Sequence, residues 1–302
     1  MSHEKKSNKP AVLCIGPQKT ATTWLFSNFK DHPQVWVPDV KELHYLSHGI
    51  HIPNYSILKV FFSPHWYYRG LRSLLQRKLW RCLSPSYFDK FNGDHTRWVF
   101  NYTLGKRSYD WYAGLFPVSP KIGIDISPSY YTLSEEKIQA HQAFNPSSKV
   151  IVTIRNPIDR LWSSARMILC RNRGRSIDQV SNKEYRKFFD REYKRWNPYL
   201  QTIAIWKRYF DNVYIAYYDE LVENPKVYFS NICTFLDINT ELEPKDINRR
   251  VLEGIHGELP LQLRIYLYKL FGEEMKDMAN KGIVYAHKWL EEHDKIVENI
   301  VL

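Results

Sequence analysis

The sequence predicts an α/β domain built on a central parallel β-sheet with helices on both faces. Three observations carry that prediction. Residues 11–16 (AVLCIG), 149–154 (KVIVTI) and 212–217 (NVYIAY) are short, continuous apolar runs. Unbroken apolar character marks a strand buried on both faces, whereas a half-wet strand would alternate. Each run is followed by a stretch with helical spacing, and strands alternating with helices give parallel sheets. No segment repeats at a period of about 20–50 residues, which excludes a solenoid or propeller.

The elements follow in order. Residues 1–10 (MSHEKKSNKP) are polar and charged and read as a flexible tail, with no apolar core of a signal peptide. The strand at 11–16 leads into a helix over 19–30 that opens on threonines and carries Trp24, Leu25 and Phe29 as apolar positions. A short strand is expected at 35–37. Residues 121–126 (KIGIDI) alternate as a strand and 134–144 form a helix. The strand at 149–154 ends in a turn at Asn156-Pro157, with a helix from Asp159. The strand at 212–217 precedes a helix over 226–236. Residues 247–260 read as a loop, and 261–278 and 286–298 as C-terminal helices. Between these, 51–108 is rich in aromatics and arginine with weak periodicity and reads as an insertion. The domain is therefore expected to span 11–302, with no internal boundary.

Composition narrows the class of partner. Lys and Arg number 43 against 32 Asp and Glu, a formal net charge of +11 and a pI near 9.3. Such a field favours anions. With 15% aromatic residues it also fits a nucleic-acid binder, but the basic residues are spread along the chain and form no stripe on one element. No apolar run reaches the ~18 residues of a membrane span. Cys14, Cys82, Cys170 and Cys233 form no metal-spaced pair. Cys14 and Cys233 are expected in the core, and a reducing, cytoplasmic setting is the simplest expectation.

The sharpest motif is Gly16-Pro17-Gln18-Lys19-Thr20-Ala21-Thr22-Thr23-Trp24, between a strand and a helix. Backbone N–H groups and the helix dipole make such a turn an anion cradle, and Lys19 adds a full charge. The lysine follows the glycine by only three residues, so this is not the G-x-x-x-x-G-K-[ST] spacing. A second motif, Arg155-Asn156-Pro157-Ile158-Asp159-Arg160-Leu161-Trp162-Ser163, puts a cation at a strand end. A magnesium-dependent phosphoryl-transfer enzyme carries an aspartate at such a position. The two motifs therefore point to a ligand with two separate anionic groups and no metal.

These residues resemble the sulfotransferase superfamily, whose members use 3′-phosphoadenosine 5′-phosphosulfate (PAPS). GPQKTATTWL is similar to the family's 5′-phosphosulfate loop and RNPIDRLWS to its 3′-phosphate motif. Further blocks agree in order: Lys41-Glu42-Leu43-His44-Tyr45, Tyr109 to Pro117, Asp125 to Tyr130, and Tyr217 to Leu236. The resemblance covers most of 11–240. It implies a single P-loop NTPase-like domain that binds PAPS and releases 3′-phosphoadenosine 5′-phosphate (PAP) without a metal.

The resemblance also implies roles. Pro17, Gln18, Lys19, Thr20, Ala21, Thr22 and Thr23 form the 5′-phosphosulfate loop, with Lys19 on the leaving oxygen. Trp24 packs on the adenine, or serves as a core aromatic. Arg155 and Ser163 hold the 3′-phosphate. Glu42 is the general base, with His44 as the alternative. Ala21 stands in place of the commoner glycine, and Ile126 where glycan-type enzymes carry a second lysine. The loop Gly254-Ile255-His256-Gly257 lacks the lysine or arginine that the family places over the nucleotide. The acceptor is expected to be a small molecule bound by a soluble, cytoplasmic enzyme, with 51–108 on the acceptor side; a glycan acceptor and a Golgi-lumenal domain are the alternatives. A nucleotide kinase and a nucleic-acid binder are the readings from other classes.

Overall fold

The computed structural model describes residues 9–48, 93–245, 247–249, 251 and 254–301, with the isolated positions 62, 72, 73 and 76. The elements run β1 (Val12–Cys14), α1 (Thr22–Asp31), β2 (Val35–Trp36), α2 (Tyr45–His48), α3 (Gly93–Leu104), α4 (Tyr109–Ala113), β3 (Ile122–Ile126), a 3₁₀ turn (Pro128–Thr132), α5 (Glu135–Phe144) and β4 (Lys149–Ile154). Then follow α6 (Pro157–Ala165), a π-helical turn (Arg166–Cys170), α7 (Asn182–Tyr193), α8 (Tyr199–Tyr209), β5 (Val213–Tyr217), α9 (Tyr218–Glu223), α10 (Pro225–Phe235), α11 (Leu261–Asn280) and α12 (Ala286–Val301).

Among the described residues five strands form one sheet in the order β2-β3-β1-β4-β5, and every pairing is parallel. The unbroken apolar runs are explained by the two cores. Along β1, Leu13 and Ile15 enter the larger core, packed with α6, α7, α8 and α11. Val12 and Cys14 point the other way, to Trp24, Leu25 and Phe29 of α1 and Tyr228, Phe229 and Ile232 of α10. Successive side chains alternate between faces, so a strand covered twice needs an apolar residue at every position. Cys14 and Cys233 lie in the core as expected, and Cys170 is buried as well. Cys82 lies outside the described residues.

Two helix starts differ from the sequence expectation. The first helix begins at Thr22 rather than at position 19, because Lys19 and Ala21 adopt left-handed backbone, with φ of 74° and 69°. The helix after β4 begins at Pro157 rather than at Asp159. The Asn156 side chain accepts from Ile158 N at 3.0 Å, so Asn156-Pro157 is the cap and first residue of α6, not a separate turn. Of segment 51–108, α3 and the residues after it are described. Trp98 donates from Nε1 to Leu115 O at 2.9 Å and stacks on Tyr102. Phe61, Trp66, Tyr67, Tyr68, Arg69, Arg77 and Arg81 lie outside the described residues.

β1 lies between β3 and β4, where the chain switches from one side of the sheet to the other. Ligands of open α/β sheets bind at the carboxyl ends of the strands at such a point. The loop leaving β1 there crosses β4 closely. A Cβ on Gly16 would stand 1.7 Å from Thr153 Oγ1 and 2.5 Å from Thr153 O, so only glycine fits. Gly16→Ala should lower the unfolding free energy by about 1–3 kcal/mol in urea denaturation. Gly254→Ala, at a position with open space around it, should stay within ~0.5 kcal/mol of the parent.

Candidate active site

Each strand's carboxyl end delivers one part of the site. From β1 comes the loop 16–21. Inside it, the Thr20 hydroxyl donates to Pro17 O at 2.6 Å and lies 2.6 Å from the Thr153 hydroxyl. Thr20 is fully buried, so its hydroxyl closes the loop and ties it to β4. Ala21 caps α1 but has no side chain able to accept from the first helical turn. The amides of Thr22, Thr23 and Trp24 at that turn are therefore presented without a side-chain cap, as an anion requires. Ala21, where the resemblance makes glycine the commoner residue, has left-handed backbone. An L-residue at φ 69° carries about 1 kcal/mol of strain that glycine would escape.

Lys19 is half-buried, with Nζ 3.9 Å from Met167 Sδ. Burial pushes its pKa below the ordinary lysine range, and the charges of Arg155, Arg166, Arg171 and Lys41 push it the same way. Several cations are thus held close together, which is unfavourable until an anion joins them. Gln18 is exposed and Pro17 buried. Trp24 is 6% exposed and packs on Tyr228 and Phe229 at ring distances of 5.7 and 6.1 Å. It is a core aromatic in this structure.

From β4 comes Arg155. Its Nη1 donates to Lys19 O at 3.3 Å, joining the two motifs directly. Its guanidinium lies 4.1 Å over the Tyr218 ring, which arrives from the end of β5. The Arg155 backbone is gripped at both ends by one group: the Tyr199 hydroxyl donates to Arg155 O at 3.0 Å and accepts from Arg155 N at 3.3 Å. Tyr199 is itself set by Glu274 of α11, whose Oε1 accepts from Tyr199 N at 2.8 Å and whose Oε2 accepts from Trp196 Nε1 at 2.7 Å. Ser163 sits partly exposed two turns into α6.

The segment after β2 brings Glu42 and His44, both with left-handed backbone, φ 69° and 56°. The two candidate bases are neighbours. His44 Nε2 is 3.4 Å from Glu42 Oε2, and Lys41 Nζ pairs with the other carboxylate oxygen. His44 Nδ1 lies 2.8 Å from Ser129 Oγ, which lies 2.8 Å from Ser47 Oγ. Beneath them, from the end of β3, the fully buried Asp125 accepts from Tyr112 at 2.6 Å, Ser127 at 2.7 Å and Tyr130 at 2.8 Å. Ser127 and Tyr130 in turn accept from the backbone amides of His44 and Leu46, each at 3.4 Å. Burial nevertheless raises the Asp125 pKa, and the three hydroxyl donors oppose that rise. Ile126, buried in β3, takes the place of a second lysine.

Sequence reasoning named Lys19, Arg155, Glu42 and His44, and the fold brings the first two into contact and the last two into contact. It missed Thr153, Tyr199, Tyr218, Arg166 and Ser129. Ser129 and Tyr218 carried a signal, as members of the Asp125 to Tyr130 and Tyr217 to Leu236 blocks; Thr153, Tyr199 and Arg166 act through contacts 133, 44 and 89 residues away along the chain, which no spacing encodes.

The fold is an α/β domain on a five-strand parallel sheet, with a cluster of cations at its strand ends. The sequence matches the family described as Sulfotransferase family over residues 10–242, and the chain belongs to that family. Among solved structures it is similar to a sulfotransferase from Alicyclobacillus acidocaldarius, with a TM-score of 0.55 and 19% identity over 89% of this chain and 93% of that one. It is also similar to the sulfotransferase domain of the Synechococcus PCC 7002 olefin synthase, with a TM-score of 0.49 and 18% identity over 90% of this chain and 97% of that one. No curated protein sequence matches the chain.

The double grip on Arg155 is testable. Tyr199→Phe removes both hydrogen bonds and leaves the Arg155 amide unpaired, so the unfolding free energy should fall by about 1–3 kcal/mol. A loss below ~0.5 kcal/mol in urea denaturation would show that the hydroxyl does not hold this strand end.

Proposed function

We propose that this protein transfers the sulfuryl group of PAPS to a hydroxyl or amine of a small-molecule acceptor. The observation that carries the reading is the contact between the two motifs, Arg155 Nη1 on Lys19 O, at the point where the sheet changes direction. It sets two cationic subsites side by side, as a nucleotide with separate 5′ and 3′ anionic groups requires. The donor set fits such a ligand: two full charges, uncapped first-turn amides and a serine, with Arg155 at the strand end where a magnesium-dependent enzyme carries an aspartate.

PAPS supplies an activated sulfuryl group on a phosphate leaving group. On the protein side, Lys19 and the α1 amides neutralise charge that builds on the bridging oxygen, a positioning and electrostatic role like that in phosphoryl transfer. Arg155 and Ser163 fix the 3′-phosphate. Glu42 takes the proton that the acceptor loses as its new bond to sulfur forms. His44, held between Glu42 and Ser129, keeps that carboxylate in place; as the second reading, His44 is itself the base, favoured by its Ser129 contact at Nδ1. We assign the acceptor side to the 51–108 insertion, and a cytoplasmic setting is supported by the free, buried Cys14, Cys170 and Cys233. Among the described residues no helix is long and apolar enough to cross a membrane.

Calorimetric titration with PAP in metal-free buffer should show binding that falls by at least about tenfold in Lys19→Ala and in Arg155→Ala. No binding by the parent protein would sink the reading. Glu42→Gln should keep PAP affinity within about twofold and lower turnover by ~10²-fold or more in a mass-spectrometric acceptor screen. Turnover like the parent's would move the base to His44.

A further inference from the structure

Arg166 opens the π-helical turn after α6, three residues beyond Ser163 and so on the same side of the helix. Its Nη1 donates to Ile255 O at 2.7 Å and to Gly257 O at 3.2 Å, and Trp162 Nε1 donates to the same Gly257 O at 3.2 Å. The segment 254–260 (GIHGELP) has no lysine or arginine. Its attachment to the site is therefore reversed: the helix supplies the cation and the loop supplies backbone oxygens. Residue 257 must also stay small, since a Cβ there would stand 2.1 Å from Ile177 Cδ1.

Three facts bear on the rest of this guanidinium and bring it near Lys19 and Arg155. Among the described residues Arg166 Nε is buried with no hydrogen-bond partner. The next residue, Met167, touches Lys19 Nζ. Burial lowers the pKa of Arg166, as does the adjacent Arg155 charge, and Arg166 in turn acts on Lys19. Asp159, the carboxylate that opposes this, lies 3.7 Å from Arg264 and divides its charge between them. Arg171, Cys170 and Tyr185 are the other titratable groups nearby.

We propose that Arg166 is a nucleotide-binding residue that reaches the 3′-phosphate beside Arg155 and Ser163 while it tethers the 254–257 loop over the site. The inference rests on the PAPS reading and deepens it. A phosphate at that place meets the free edge of a guanidinium whose other edge already holds the loop, so ligand and loop are joined through one side chain.

The test compares two ligands that differ only in the 3′-phosphate, PAP and 5′-AMP, by calorimetry on the full-length protein and Arg166→Met. The expected result is a loss of about tenfold or more for PAP with AMP binding within about twofold. An equal loss for both ligands would make Arg166 merely structural and overturn the proposal, as would unchanged PAP binding. If the parent protein does not prefer PAP to AMP, the PAPS reading fails first and this inference with it. Should Arg166→Met not fold, Arg166→Lys keeps the charge and loses the fork. It should weaken PAP by at least about threefold with AMP unchanged, and an equal effect on both would again overturn the proposal.

Discussion

The site depends on how closely the loop leaving β1 can cross β4. Gly16 lies against Thr153 with no room for a side chain, and the hydroxyls of Thr20 and Thr153 meet at 2.6 Å. That contact pins the loop to the neighbouring strand. Everything beyond it follows: Lys19 O comes within reach of Arg155, α1 starts at Thr22 with uncapped amides, and the Lys19 side chain is turned toward Met167. Move the loop outward by one methyl group and the two cationic motifs part.

Strain marks the same region. Among the described residues five positions other than glycine have positive φ, and four of them are Lys19, Ala21, Glu42 and His44. Each such residue costs roughly 1–3 kcal/mol and persists only where the surroundings hold it. For His44 the holding network is the buried Asp125 with its three hydroxyl donors, which passes through Ser127 and Tyr130 to the backbone of His44 and Leu46, while Glu42 is held through its carboxylate by Lys41 and His44. For the loop it is Thr153. The energy is spent on aiming a lysine from the end of β1 and a carboxylate–imidazole pair from beyond β2, with β3 between them in the sheet.

How much of this was legible depended on whether the information was local. A strand covered on both faces has to be apolar throughout, so β1, β4 and β5 were readable to within a residue or two. Helix starts were less so. The left-handed Lys19 and Ala21 delay α1, and nothing in KTATT announces two residues of that conformation without a glycine. The positioning groups were not legible at all: Tyr199 holds Arg155 from 44 residues away, and Glu274 holds Tyr199 from 75.

By itself the sequence determined the class of the fold, the family resemblance, and the pairing of a lysine loop with an arginine strand end. These follow from periodicity and from short motifs whose chemistry lies within about ten residues. Only the tertiary structure decided that Glu42 and His44 form one pair, that Trp24 belongs to the core, and that Arg166 donates to the carbonyls of Ile255 and Gly257. Those outcomes depend on which strand ends lie side by side. Parallel strand order is set by crossovers and by packing on both faces of the sheet, and no local run of residues contains it.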